Sequence, residues 1–189
     1  MSAFHGFVFR YISCALCGVV LCVMSAAHAL TVNLRTFPEL VERADTIVVA
    51  TVAGQRSAWS ADGRVIYTFL TLADLDVLKG DVSAATFELR MPGGAIGDQA
   101  QLYPGMPVIQ QGERYVLFIR GQLRNFFPLV GVYQGLYKVV RDDDDNQRVL
   151  RADQRLDNVI GGVMTQIPTL DAFTARIRDQ LSARPGGAP

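Results

Sequence analysis

All three cysteines (Cys14, Cys17, Cys22) and both histidines (His5, His28) lie within the first 29 residues. The 160 residues that follow must therefore fold without a disulfide and without imidazole or thiolate chemistry. A chain of that length buries roughly 68–70% of its unfolded surface, enough to stand without covalent staples. The same absence excludes a Cys/His zinc site and a Ser-His or Cys-His nucleophile. Any metal would need hard oxygen ligands, as calcium does.

The segment that carries those residues has its own pattern. Arg10 gives a positive start, residues 11–24 are almost wholly apolar, and Ser25 and Ala26 precede the small-residue site Ala27-His28-Ala29. No acid occurs before Glu39. This order reads as a secretory signal peptide over residues 1–29, cleaved after Ala29. The apolar run is shorter than the ~20 residues that span a bilayer. None of the cysteines follows a Leu-small-small lipoprotein pattern. The expectation is an exported protein, periplasmic or extracellular, that leaves the membrane once the signal is removed.

With Arg10 set aside, 17 basic residues face 18 acids, and only Lys79 and Lys138 are lysines. A nucleic-acid-binding chain is basic in clusters, so no nucleic-acid partner is expected. No internal repeat and no second spanning segment is present. Residues 30–183 read as one domain, and residues 184–189, rich in Pro and Gly, as a flexible tail.

Thr36 with Glu39 three residues on forms a capping box, and Pro38 suits the first turn, so residues 37–43 read as a short helix. Residues 45–53 are β-branched and read as a strand. Asp62-Gly63 signals a hairpin, followed by a long strand over residues 65–78. There Val65, Tyr67, Phe69, Leu75 and Val77 share one face. Ile66, Leu70, Leu72 and then Asp74 and Asp76 occupy the other, which suggests a curved sheet around a core.

Residues 86–91 alternate, with Phe87, Leu89 and Met91 inward, and Pro92-Gly93-Gly94 ends that strand. An irregular stretch follows over residues 95–112. Further strands are expected at 113–120, 127–133, 136–141 and 148–151, with Asp142–Asn146 as a hairpin turn. Thr169 caps a closing helix whose Leu170, Phe173, Ile177 and Leu181 form an apolar stripe. The pattern is mainly β, with five to seven short strands between a short N-terminal helix and a C-terminal amphipathic helix. A small barrel fits it best and a sandwich second.

Ala44-Asp45-Thr-Ile-Val-Val, the 67–77 strand ending Leu78-Lys79-Gly80, Pro92-Gly-Gly94 and Gly112-Glu-Arg-Tyr-Val-Leu-Phe118 occur in an order that resembles a group of small exported bacterial proteins of uncharacterised function. The same order is similar to the netrin-like domain of the tissue inhibitors of metalloproteinases. That resemblance spans residues 30–140 and implies an OB-like barrel with packed helices. It also implies a protease as partner, gripped through the mature N-terminus. Leu30 and Thr31 stand at that N-terminus here, where those inhibitors place a cysteine.

Several candidate sites emerge. The 92–107 loop, with Pro92, Gly93, Gly94, Asp98, Tyr103 and Pro104, reads as a recognition loop on a rigid scaffold. Asp142, Asp143, Asp144 and Asp145 could offer oxygens to calcium, although the spaced Asp-x-Asp-x-Asp-Gly arrangement is missing. Trp59 with Tyr67, Tyr133 and Tyr137 could make an aromatic face. A Ser-Lys dyad would join Lys79 or Lys138, the former reading as solvated, to Ser57, Ser60, Ser83 or Ser182. No spacing singles out a pair of catalytic carboxylates.

The resulting expectation is a non-catalytic, cofactor-free module that binds another exported or envelope protein through 30–35 and the 92–107 loop. The rivals are a carboxylate-based envelope hydrolase and a carbohydrate- or calcium-binding accessory domain.

Overall fold

In a computed structural model, residues 34–152 and 167–183 are described. The expected signal segment (residues 1–29), Leu30, Thr31 and the expected tail (residues 184–189) lie outside them. Among the described residues, no helix is long and apolar enough to cross a membrane.

The chain is mainly β. Helix α1 (Phe37–Arg43) is followed by eight strands: β1 (Thr46–Trp59), β2 (Ile66–Lys79), β3 (Phe87–Pro92), β4 (Gly94–Ile96), β5 (Gln99–Gln101), β6 (Arg114–Ile119), β7 (Leu136–Arg141) and β8 (Gln147–Arg151). Helix α2 (Leu170–Ser182) closes it. Six strands form one antiparallel sheet in the order β3-β2-β1-β6-β7-β8, and β4 and β5 form a separate ribbon.

The capping box forms as expected. The Glu39 carboxylate accepts from the Thr36 amide at 2.7 Å and from its hydroxyl at 3.0 Å. The far end of α1 is held by Lys79, whose ammonium donates to the carbonyls of Val41 (2.8 Å), Glu42 (3.1 Å) and Ala44 (2.6 Å). A cation there meets the unsatisfied carbonyls and the negative end of the helix dipole. Lys79 is thus a capping residue, where the sequence reads as a solvated strand end.

The centre of the sheet is buried on both faces. Ile47 and Val49 in β1, with Val116 and Phe118 in β6, meet Leu40 and Val41 of α1 and Phe173 and Ile177 of α2. Val48, Ala50 and Val52, with Tyr115, Leu117 and Ile119, point the other way and pack with Leu70, Leu72, Leu89, Met91 and Ile109. Alternate side chains of one strand therefore feed two cores. Phe118 is fully buried and sets its ring edge against Phe37 (6.4 Å) and Phe173 (6.5 Å) and tilted against Tyr137 (5.7 Å). The expected stripe of α2 holds, since Leu170, Phe173, Ile177 and Leu181 all join this cluster.

Three expectations need correction. The sheet does not close into an OB-like barrel. Its outer strands, β3 and β8, do not pair with each other. Side chains and connecting segments flank them instead. Beside β3, Gln122 donates to the Glu88 carbonyl (2.6 Å) and Arg90 donates to the Leu123 carbonyl (2.7 Å). Along β8, the Val149 amide donates to the Pro168 carbonyl (3.0 Å), and Arg148 bridges Thr169.

The alternation of β2 also changes phase. Leu70 and Leu72 face the second core, and after Asp74 it is Leu75 and Val77 that join it. Asp74 has φ 51°, and the ladder with β1 slips between Val49 and Thr51. A left-handed residue at a bulge moves the following side chains to the opposite face. Leu75 and Val77 therefore do not share a face with Tyr67 and Phe69.

The expected strand over residues 127–133 is absent. Only Leu129 bridges Ile119, and Gly131 and Val132 take positive φ in successive turns. The stretch from residue 95 to 112, in turn, is less irregular than it reads, because most of β4 and all of β5 fall in it.

Phe118→Ala is expected to destabilise the protein by about 3–5 kcal/mol, as for a large ring deleted from a closed core, read from denaturant midpoints. Lys79→Met is expected to cost about 1–3 kcal/mol by the same measurement, because it removes charged hydrogen bonds to backbone carbonyls.

Candidate functional site

The sheet is stepped. β1 pairs with β2 along its whole length, but β6 reaches only Thr46 to Thr51. β3 pairs with the Tyr67–Leu72 part of β2. The outer half of the β1–β2 hairpin thus projects beyond the central strands. On that half, Gln55 and Ser57 of β1 lie opposite Leu70 and Thr68 of β2, on the face that continues the second core.

The chain leaving β3 folds back across this face. Gly93 and Gly94, at φ 98° and 138°, make the reversal. A Cβ on Gly94 would come within 2.5 Å of the Thr68 hydroxyl and 2.8 Å of the Ser57 hydroxyl, so the ribbon rests directly on the sheet. The Gly93 amide donates to the Ile66 carbonyl, and Thr68 donates its hydroxyl to the Gly93 carbonyl (2.7 Å). Gln101 then imitates a neighbouring strand. Its side-chain oxygen accepts from the Ile66 amide (2.7 Å), and its nitrogen donates to the Arg64 carbonyl (2.9 Å).

Between sheet and fold-back lies a cleft of about 540 Å³. Gln55, Ser57, Thr68, Leu70 and Met91 line it from the strands. Pro92 to Ala95, Gln101 to Tyr103 and Met106 to Gln111 complete the lining. Leu102 and Val108 are 87% and 80% exposed at this site. Among the described residues, no carboxylate, lysine or arginine lines it. Four glutamines and the hydroxyl-bearing Ser57, Thr68 and Tyr103 supply its side-chain polarity. Gln101 is engaged by the β2 end and Gln111 donates to the Ala53 carbonyl (3.1 Å), while a glutamine amide can in general both donate and accept.

Behind Tyr103 an aromatic cluster braces the fold-back. Its ring meets Phe126 at 5.1 Å and Phe127 at 6.4 Å, and Phe126 meets Tyr67 at 6.2 Å. Arg90 lies 4.5 Å from the Tyr67 ring centroid. Such edge contacts hold a loop more firmly than area burial alone.

The other end of the fold-back is tied to a polar chain. The Gln110 amide donates to the Tyr115 hydroxyl (3.1 Å), which donates to Glu113, and Glu113 also accepts from Lys138. Burial on its own would raise the Glu113 carboxyl. The hydrogen bonds from Lys138 and Tyr115, with the Lys138 charge, outweigh it and leave that carboxyl below the usual glutamate range. Burial and the adjacent carboxylate push the Tyr115 phenol up.

Of the residues singled out in the sequence, Pro92, Gly93, Gly94 and Tyr103 line the cleft. Pro104 is exposed beside Tyr103 without lining it, and Asp98 sits exposed at the ribbon turn. Trp59 ends β1 opposite Ile66, 39% exposed and outside the cleft. The aromatic face does not assemble: Tyr137 belongs to the helix-side core, and Tyr67 packs with Phe126 and Arg90. The strand-borne glutamines and hydroxyls were missed. The sequence carried no plain signal for them, because the ladder slip between Val52 and Gly54 is what turns Gln55 and Ser57 onto the face of Val48, Ala50 and Val52.

The acidic turn is occupied by its own structure. Asp142 accepts from the amides of Asp144 and Asn146 and from the side chains of Asn146 and Arg148. The Arg148 hydrogen bond above all, with those from Asn146, lowers its pKa. Asp145 pairs with Arg141 at 2.8 Å. Among the described residues no group of three or more acids is gathered for a metal ion. Neither lysine joins a serine in a dyad: Lys79 caps α1 and Lys138 holds Glu113.

Tyr115→Phe is expected to lower stability by about 1–2 kcal/mol and to speed amide hydrogen exchange at residues 108–112. The pH dependence has a definite sign. Because the Glu113 carboxyl is more acidic in the folded protein, its contribution is full above about pH 4.3 and is lost as pH falls through the lower folded value. Glu113→Gln is therefore expected to flatten the acid limb of the stability profile, measured by denaturant unfolding between neutral pH and mild acid.

Comparison with protein-family models, with curated proteins and with solved structures gives no match to this chain.

Proposed function

We propose that this protein is an exported, non-catalytic binding module that holds an extended, uncharged segment of another exported or envelope protein in the cleft beneath the 92–111 fold-back. The observation that carries this reading is the lining itself. It joins apolar side chains to glutamine amides and hydroxyls and, among the described residues, contains no acid, lysine or arginine. An extended segment presents backbone donors and acceptors alternating with side chains, which such a lining can match. General acid–base catalysis needs a titratable group near neutral pH at the reacting atoms, which favours binding over a hydrolase.

Export rests on Arg10, the apolar run over residues 11–24 and the Ala27-His28-Ala29 site. A protease is the sharpest form of partner. It is supported by the resemblance to netrin-like inhibitors through Ala44-Asp45, Pro92-Gly93-Gly94 and the Gly112–Phe118 segment. Leu30 and Thr31 would then form a second contact surface.

The test places a photo-crosslinking residue at position 102, 108 or 143 of the full chain expressed with its leader, followed by mass spectrometry of the adducts. Peptide adducts at 102 and 108 but not at 143, on protein that begins at Leu30, are expected. Equal labelling at all three positions, or none at 102 and 108, would overturn the cleft as binding site. A retained leader would overturn export.

A further inference from the structure

On the opposite, helix-covered face lies a second cavity, of about 300 Å³, between the start of α1, strands β7 and β8, and α2. Phe37, Tyr137 and Phe173 line it together with Arg35, Arg151 and Arg176. Among the described residues, no acid lines it. Arg35 is anchored through its backbone, whose amide donates to the buried Gln134 side chain at 2.7 Å. Its Nε is buried and has no hydrogen-bond partner. Arg176 extends from α2 over the Phe37 ring, 4.2 Å from its centroid, and neither it nor Arg35 makes an ion pair among the described residues. The nearby Glu39 carboxylate is engaged at the helix cap.

Buried guanidinium donors without an acceptor are rare in a folded protein and mark a place where an acceptor is favoured. Guanidinium forks match the two oxygens of a carboxylate. We propose that this cavity binds an organic carboxylate, its anionic head between Arg35 and Arg176 and its apolar body against Phe37, Tyr137 and Phe173. A bare inorganic oxyanion fits less well. The space equals that of roughly ten waters, and a lone ion would leave the aromatic wall uncovered. The same head-and-body chemistry is offered by a small aromatic acid and by the C-terminal residue of a peptide with an apolar side chain. The site lies on the face opposite the cleft, so it stands or falls separately from the proposed function.

The experiment follows the Tm of the full chain, at fixed ionic strength, against phenylacetate, phenylacetamide, sodium sulfate, and a short peptide ending in Phe as free acid or as amide. A Tm rise with phenylacetate or the free-acid peptide, absent with both amides, is expected, and the stronger of the two identifies the source. Arg176→Gln alters an exposed helix position, so the protein should keep its fold and circular dichroism while losing at least tenfold in affinity. Arg35→Gln is expected to lose as much. Equal stabilisation by acid and amide, stabilisation by sulfate alone, no stabilisation by any probe, or unchanged affinity in Arg176→Gln would each overturn the proposal.

Discussion

The fold depends on one stretch of chain, residues 47–52, which is hydrogen-bonded on both sides and buried on both faces. β2 and β6 take its amides and carbonyls. Its alternate side chains are divided between the helix-covered core and the core on the opposite face. Exchanging its two sets of side chains, or placing a polar group at Ile47, Val48, Val49 or Ala50, would disrupt both cores. Both candidate sites are placed relative to it. The cleft begins where β1 outruns β6, and the arginine-lined cavity lies beneath the helices that cover Ile47 and Val49.

The two sites divide the surface chemistry between them. Among the described residues, the cleft is lined by amides, hydroxyls and apolar groups with no acid, lysine or arginine, while the cavity between the helices and the sheet is lined by three arginines. The fold-back that bounds the cleft carries its own bracing. Tyr103 stands on Phe126 and Phe127, and the Gln110 amide is tied to the Tyr115 hydroxyl. Sites held in this way are largely formed before a ligand arrives, which lowers the entropy lost on binding.

How much of this was legible in the sequence varies by element, for physical reasons. Helix α1, the Asp62-Gly63 hairpin, the β7–β8 turn and the stripe of α2 were readable because each is encoded locally, by a cap, a turn pair or a period. The phase change at Asp74 was not, because a bulge is decided by pairing with a distant strand and alternation alone carries it silently. The strand over residues 127–133 failed for a related reason. Its apolar residues are buried through turns at Gly131 and Val132 rather than through a ladder. The candidate loop was found through Pro92-Gly93-Gly94, but half of the cleft lies on strands whose polar residues resemble an ordinary solvent face. The arginine-lined cavity left no trace, since Arg35, Arg151 and Arg176 are brought together only by packing.

The flanked outer strands have a consequence for recognition. A protein that captures extended segments often does so by lending them an open strand edge, where backbone pairing accepts almost any sequence. Here β3 is flanked by Gln122 and Leu123, and β8 by the approach to α2, so the main sheet has little ladder to lend. In the proposed reading, a segment held in the cleft must instead match its polar groups and its apolar lining, Met91 and Val108 among them, which reads side chains as well as backbone. The same flanking shields the sheet from the edge-to-edge association that an open strand invites.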